Sequence, residues 1–228
     1  SHFVEEILKR DDVDHVVNVD CMTYAANRNM SFESDIRYTH FKLDISRDSI
    51  DFLLGTFKVD YLVHFAAESH VDRSIMDPLS FVKTNILGTA VLLNAARKYW
   101  KEMNGKLFYH VSTDEVYGSL GPYESGFTEK TPYDPRNPYS ATKAASDHLV
   151  RSYINTHKIQ AVITNCSNNY GPRQHSEKFI PTIIRKAMAN EPIPVYGTGQ
   201  NIRDWLFVED HCDAILTVAA NFKTGERY

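Results

Sequence analysis

"KLFYHVSTDEVYG", residues 106–118, decides the fold. Its first half is nearly apolar, and side chains on a strand alternate between two faces, so such a strand must be covered on both. Its second half turns abruptly polar at Thr113, Asp114 and Glu115. Two adjacent acids can serve one ligand only where the chain is already leaving the strand. The triplet then sits at the carboxyl end of a strand, where open α/β sheets form their ligand crevices. Taken by itself, it reads better as a loop carrying two solvated acids, because like charges side by side are costly to bury.

The neighbouring sequence repeats the strand pattern. "HVVNVD" (15–20), "YTHFKLD" (38–44), "YLVHFAA" (61–67) and "AVITNCS" (161–167) are short runs rich in Val, Ile, Phe and Tyr. Between them fall helical patterns: "HFVEEILKR" at the start, "SRDSIDFLLGTF" after the second strand, residues 78–103, and residues 137–157 with Asn137 as N-cap and Pro138 at the first helical position. Strand and helix alternate, which predicts an α/β fold, a parallel sheet with helices on both faces. Residues 1–167 form this domain. Residues 168–228 loosen into turn-rich stretches that suggest a smaller lobe, with a helix at "VEDHCDAILTVAANF" returning to the sheet.

Bulk properties narrow the function. The chain has 228 residues, 43% hydrophobic and 24% charged, ordinary for a globular protein. A formal charge of −4 gives no electrostatic reason to expect nucleic acid or an anionic membrane. No apolar run reads as membrane-spanning and no signal sequence is visible. Cys21, Cys166 and Cys212 lack a CxxC spacing, which suits free thiols in a reducing cytoplasm. The ten histidines show no metal spacing; His64, His70 and His110 read as structural groups or substrate contacts.

Tyr139 and Lys143 are four residues apart near a predicted helix start, hence on one face. A tyrosine is ionised in only about one molecule per thousand at neutral pH, so its use as a base requires a downward move of about three pH units, about 4 kcal/mol. A nearby ammonium supplies stabilisation of that order. Asp20 and Asp44 each end a strand, where an acid can meet an adenosine ribose or adenine, although either equally caps a turn. In "HFAAESHVDRS" (64–74), Ala66 and Ala67 permit close backbone approach to a cofactor, and Thr84 lies on the following helix. "YGTGQN" (196–201) contains a GxG but opens no first helix, so it reads as a turn.

Together, TDEVYG, YSATK, HFAAESHVDRS, NCSNNYGPRQ and IRDWLFVEDH resemble the extended short-chain dehydrogenase/reductase family, in order along essentially the whole chain. The adjacent acid pair resembles its nucleotide-sugar dehydratases more than its epimerases. The resemblance implies a Rossmann-like doubly wound sheet. Family members start with a strand and glycine-rich loop leading into the helix that here begins at Ser1-His2-Phe3, and continue past the stretch matching "GERY". The expectation is therefore a chain trimmed at both ends and lacking the usual first strand.

The same resemblance implies an NAD-dependent lyase that dehydrates dTDP-linked glucose: oxidation at C4, loss of water across C5 and C6, and hydride return to C6. Tyr139 would take the C4 hydroxyl proton, with Lys143 lowering its pKa and Thr113 holding the oxygen. Glu115 would remove the C5 proton and Asp114 protonate the leaving hydroxyl. Asp20, Asp44, Ala66, Ala67, Thr84, Tyr139, Lys143 and Asn169 match NAD contacts. Ser69, Thr113, Asn168, Lys178, Phe179, Tyr196 and Arg203 match positions near the nucleotide sugar. A homodimer is expected. Another sugar-nucleotide dehydratase or epimerase, or a non-catalytic nucleotide-sugar-binding fragment, are the competing readings.

Overall fold

The computed structural model describes residues 1–27, 30–195 and 197–228. Strand β4 (Leu107–Thr113) lies at its centre, paired in parallel with β3 (Tyr61–His64) on one side and β5 (Ala161–Cys166) on the other. The register places His110 between His64 and Ile163. Leu107, Phe108 and Tyr109 are fully buried, so the near-continuous apolar run reflects cover on both faces. β1 (Val16–Asp20) and β2 (Tyr38–Lys42) form a second parallel pair, and β6 (Asn168–Tyr170) and β7 (Trp205–Phe207) a third. Among the described residues, pairing runs in three separate sheets, all of them parallel. β1 and β3 share no ladder, yet Val17, Val19 and Phe41 pack with Leu62, Phe108 and Ile163 around one apolar core.

The helices are α1 (His2–Leu8), α2 (Asp51–Thr56), α3 (Val71–Met76), α4 (Pro78–Phe81), α5 (Thr89–Tyr99), α6 (Pro138–His157), α7 (Phe179–Met188) and α8 (Val208–Asn221). α6 starts where its sequence says it should. The Asn137 carboxamide accepts from the Ser140 amide at 2.8 Å, the Ser140 hydroxyl reaches back to the Asn137 amide at 3.2 Å, and Pro138 occupies the first turn. Lys158, in the left-handed region at φ 58°, closes its far end.

Three sequence expectations need correction. α2 begins at Asp51 rather than near Ser46, because side chains tie residues 44–48 into a turn: Asp44 accepts from the Ser46 amide at 2.9 Å and Asp48 from the Asp44 amide at 2.7 Å. The helical run 78–103 ends at Tyr99 and contains a π-helical segment, Val82–Gly88, between α4 and α5. That run also reaches membrane-spanning length, with a window of mean hydropathy 1.3 over residues 78–99. Packing explains part of its apolarity, since Phe81, Leu92, Leu93, Ala95 and Ala96 are buried, while Leu79, Val82 and Leu87 are exposed. Trp100 follows, buried, its indole N–H donating to the Val59 carbonyl at 2.8 Å.

Beyond β5, α7 lies between the turn-rich stretches, and none of its residues is buried. α8 packs Ile215 and Val218 against Leu107, Tyr109 and Val162. The final residues run beside β5, the Asn165 amide donating to the Tyr228 carbonyl at 2.9 Å.

Gly88 is where the π-helical segment meets the turn after β2. A β-carbon there would stand 2.6 Å from Ile45 Cδ1 and 2.8 Å from Cγ1, and Ile45 is itself buried. Gly88→Ala should destabilise the fold by about 1–3 kcal/mol through overpacking. Urea denaturation should show this, with a less-than-additive loss when combined with Ile45→Val, which removes one of the clashing carbons.

Candidate active site

The chain leaves β4 at Thr113 and makes one tight 3₁₀ turn, Asp114–Tyr117. Thr113 organises that turn: its hydroxyl accepts from the Glu115 amide at 3.3 Å and donates to Asp114 Oδ1 at 3.2 Å. The turn ends at Gly118, whose φ of 94° and ψ of −130° suit glycine alone, and where a β-carbon would lie 2.6 Å from the Asp134 carbonyl. The two acids therefore escape strand alternation, as their adjacency required.

The first turns of α6 form the facing wall. Tyr139 and Lys143 are buried on one face of the helix. Asn137 does two jobs: its carbonyl oxygen caps α6, and its Nδ2 donates to Glu115 Oε2 at 3.3 Å. Thr113 and both carboxylates lie near enough to the Tyr139 phenol to act on it electrostatically. Thr113, Asp114, Glu115, Tyr139 and Lys143 thus converge at the carboxyl end of β4.

Their electrostatics are unequal. Burial, reinforced by the Glu115 charge, pushes the Asp114 carboxyl above its ordinary value, which favours the protonated acid. Tyr139 does not follow expectation. Burial first, then Glu115, holds the phenol well above its ordinary value. Lys143 does not offset this, its ammonium being directed to the Val111 carbonyl at 2.8 Å. Burial lowers Lys143 itself, opposed chiefly by Asp147. Burial also raises the Cys166 thiol, on the strand beside Thr113, to about 11, leaving it uncharged at neutral pH.

The loop after β3 supplies the third wall. Ala66 and Ala67 are half-buried there, and Ser69 is exposed. Asn85, on the π-helical segment, pins this loop. Its Oδ1 accepts from the Glu68 amide at 2.9 Å, while its Nδ2 donates to the Glu68 carbonyl at 3.0 Å and to Thr142 Oγ1 at 2.9 Å. Thr84, beside it, is half-buried.

Other sequence-selected residues have settled roles. Asp20 is exposed at the end of β1 and binds the Met22 amide at 2.7 Å through one oxygen. Asp44 caps its turn and pairs with Arg47 at 3.4 Å. Asn168 and Asn169 lie on β6. The Asn169 amide is fully engaged, accepting from His211 Nδ1 at 2.6 Å and donating to Ser167 O at 3.0 Å and Cys166 Sγ at 3.4 Å. Lys178 precedes α7, and exposed Phe179 stacks on Trp205 at 6.2 Å. Arg203 is exposed, its guanidinium donating to the Ile202 carbonyl at 2.8 Å and paired with neither Asp204 nor Glu209. Tyr196 lies outside the described residues. Cys21, Cys166 and Cys212 are free.

Beneath the convergent groups lies a buried polar network. The Ser146 hydroxyl donates to the Lys143 carbonyl at 2.7 Å, so its contact with His110 Nε2 at 3.0 Å must use the imidazole N–H. The same logic makes His64 Nε2 the donor to Thr89, whose hydroxyl proton goes to the Asn85 carbonyl. His110 Nε2 also lies 3.2 Å from Asp147 Oδ1. Asp147 Oδ2 accepts from the Tyr133 hydroxyl at 2.7 Å and the Ser112 hydroxyl at 2.9 Å. The roles of Asn85 and Asp147 went unread in the sequence. Asp147 alone carried a signal, its position four residues after Lys143.

Comparison with known proteins places this geometry. The family model described as GDP-mannose 4,6 dehydratase matches residues 1–228. The dTDP-glucose 4,6-dehydratase of Xanthomonas campestris pv. campestris (strain B100) is 51% identical over 237 residues, covering 100% of this chain and 66% of that protein. The dTDP-glucose 4,6-dehydratase of Haemophilus influenzae is 46% identical over 240 residues, covering 100% of this chain and 71% of the other. Among solved structures, DesIV, a dTDP-glucose 4,6-dehydratase from Streptomyces venezuelae with NAD and TYD bound, superposes with a TM-score of 0.91 at 41% identity, covering 100% of this chain and 70% of that one. The chain thus spans about two thirds of the length of these relatives.

The buried imidazoles make a pH prediction. Burial holds His64 and His110 below the ordinary histidine value, so both stay neutral in the fold while the unfolded chain protonates them from about pH 6.5 downward. The unfolded state then binds more protons, and stability falls as pH falls below 6.5, by up to about 1.4 kcal/mol per pH unit for each imidazole. Denaturant midpoints taken between pH 7 and 5 should show that slope, and His64→Gln should reduce it.

Proposed function

The chain belongs to the GDP-mannose 4,6-dehydratase family, a branch of the extended short-chain dehydrogenases/reductases, and we propose that it performs the NAD-dependent dehydration of dTDP-glucose to dTDP-4-keto-6-deoxyglucose. One observation carries the reading: an acid pair with one member biased toward its protonated form converges with a tyrosine and a lysine at the carboxyl end of a parallel strand. The printed activities of the Xanthomonas, Haemophilus and Streptomyces relatives favour the thymidine nucleotide. An epimerase reading leaves the paired acids without work.

The residues fit NAD at two places. Asp20 offers an exposed carboxylate with one oxygen uncommitted to the Met22 turn, suited to the adenosine ribose. Ala66 and Ala67 are small enough to allow close approach at the loop after β3, and Asp44, Thr84, Tyr139, Lys143 and Asn169 are assigned to the same cofactor. When bound, the cofactor supplies a hydride acceptor for C4 of the sugar and later the hydride donor for C6.

The chain's own groups handle the protons. Tyr139 takes the C4 hydroxyl proton while Thr113 holds that oxygen. Burial and two carboxylates oppose the ionisation of Tyr139, so it acts as a base only when further positive charge is brought beside it. Glu115, held by Asn137, removes the C5 proton that the new ketone acidifies. Asp114, biased toward its protonated form, gives its proton to the departing C6 hydroxyl, and water leaves. The opposed duties of the two acids explain why they stand side by side.

Ser69, Asn168, Lys178, Phe179, Tyr196 and Arg203 are assigned to the nucleotide sugar, Arg203 through a donor fork that suits a diphosphate. Residues 1–167 serve the cofactor and 168–228 form part of the substrate lobe. An exposed apolar stripe at Ile75, Met76, Leu79, Val82 and Leu87 supports a homodimer. Free cysteines suit work in the cytoplasm.

Mass spectrometry should detect loss of one water from dTDP-glucose, with UDP-glucose and GDP-mannose as comparators. Glu115→Gln should retain single-turnover C4 oxidation, seen as NADH absorbance, but slow elimination by about 10²–10⁴-fold. Tyr139→Phe should lose the oxidation itself. Turnover that alters sugar stereochemistry without losing water would overturn the reading.

A further inference from the structure

Lys143 poses a problem that its neighbours must solve. It is buried, and burial favours the neutral amine. Its one hydrogen bond goes to an uncharged group, the Val111 carbonyl. The charged and titratable groups bearing on it are few: His64 and His110 from β3 and β4, Cys166 from β5, and Asp147 from α6 itself. The two imidazoles are neutral donors in the hydrogen-bond pattern, and the Cys166 thiol is uncharged at neutral pH. Among these groups, Asp147 is therefore the one anion.

Asp147 is built to stay ionised. It lies four residues after Lys143, on the same face of α6, and is fully buried. The Tyr133 hydroxyl donates to one of its oxygens at 2.7 Å and the Ser112 hydroxyl to the same oxygen at 2.9 Å, while His110 Nε2 lies 3.2 Å from the other. The Asn165 amide adds a longer contact at 3.4 Å. These donors come from β4, β5 and the loop before α6, and Arg227 near the chain end acts on the site through Tyr133. Three donors from three elements converge on one oxygen of this carboxylate, while the His110 N–H is directed to Ser146; that is a costly arrangement for packing alone, because an apolar side chain would need none of them.

We infer that Asp147 is a positioning residue that acts through Lys143: it is the fixed buried anion that keeps Lys143 an ammonium beside Tyr139. The inference rests on the role proposed above for Lys143, but its test requires neither cofactor nor substrate. The full chain, with lysine labelled at 13Cε, is titrated by NMR, and the Lys143 resonance is assigned by its loss in Lys143→Met. In Asp147→Asn, of nearly the same shape, the Lys143 midpoint should fall by one pH unit or more, a tenfold rise in the neutral fraction at a given pH. In Ser112→Ala, which removes one donor but keeps the charge, it should stay close to that of the unsubstituted chain.

An unchanged midpoint in folded Asp147→Asn overturns the inference, as does an equal fall in Ser112→Ala, which would mark a packing effect. Should Asp147→Asn not fold, the unsubstituted chain decides. The 13Cγ resonance of Asp147 should show an inflection at the Lys143 midpoint, and a flat response there overturns the inference. A chain that shows the coupling but does not dehydrate dTDP-glucose would leave Asp147 in place and sink only the functional reading.

Discussion

Parallel neighbours on both sides of β4 are the constraint from which the rest of the molecule follows. A strand hydrogen-bonded on both edges and covered on both faces is apolar except where a buried group finds a partner, as His110 and Ser112 do, so the charged groups fall at its end. At the carboxyl end they emerge beside the start of α6, whose Asn137 cap reaches across to Glu115. The acid pair and the Tyr139–Lys143 pair meet because one strand ends where one helix begins. Gly118 makes the turn sharp enough for both acids to remain in the crevice.

The inner side of that crevice is buried, and burial sets its chemistry. Burial raises Asp114, Tyr139 and Cys166 and lowers Lys143, each in the direction that suppresses charge. Such a site is neutral at rest to the extent its partners allow. Charge has to be imposed on it, from below by Asp147 and from the open side by whatever binds. The phenol is the clearest case, because proximity to a lysine in sequence gave it no net relief in the fold.

Much of this was legible in advance, and the failures share a cause. The buried strands, the capped start of α6 and the shared face of Tyr139 and Lys143 followed from short-range pattern and spacing, whereas the joint task of Thr113, Asp114, Glu115, Tyr139 and Lys143 came only from the family resemblance. The shortened α2, the π-helical segment and the direction of the Tyr139 shift followed from neither, because each depends on a partner distant in sequence or on burial. Asp44 illustrates the limit. Its place at a strand end suggested adenine, and the structure shows it also capping the turn that delays α2. Asn85 is more distant still: nothing in "KTNILG" announces that its amide spans Glu68 and Thr142.

The Asn85 bridge makes the two walls of the crevice mechanically different. With donors and acceptor all committed, it ties the backbone at Glu68 to α6, the helix that carries Tyr139 and Lys143. The opposite margin, the stretch from Gly171 into α7, is tethered by side chains such as Tyr24 to Glu177 and Asn27 to the Arg173 carbonyl. Arg173 adds bonds to His2 and Glu5 of α1, so this margin is fastened to the amino-terminal elements while the Asn85 margin is fastened to α6.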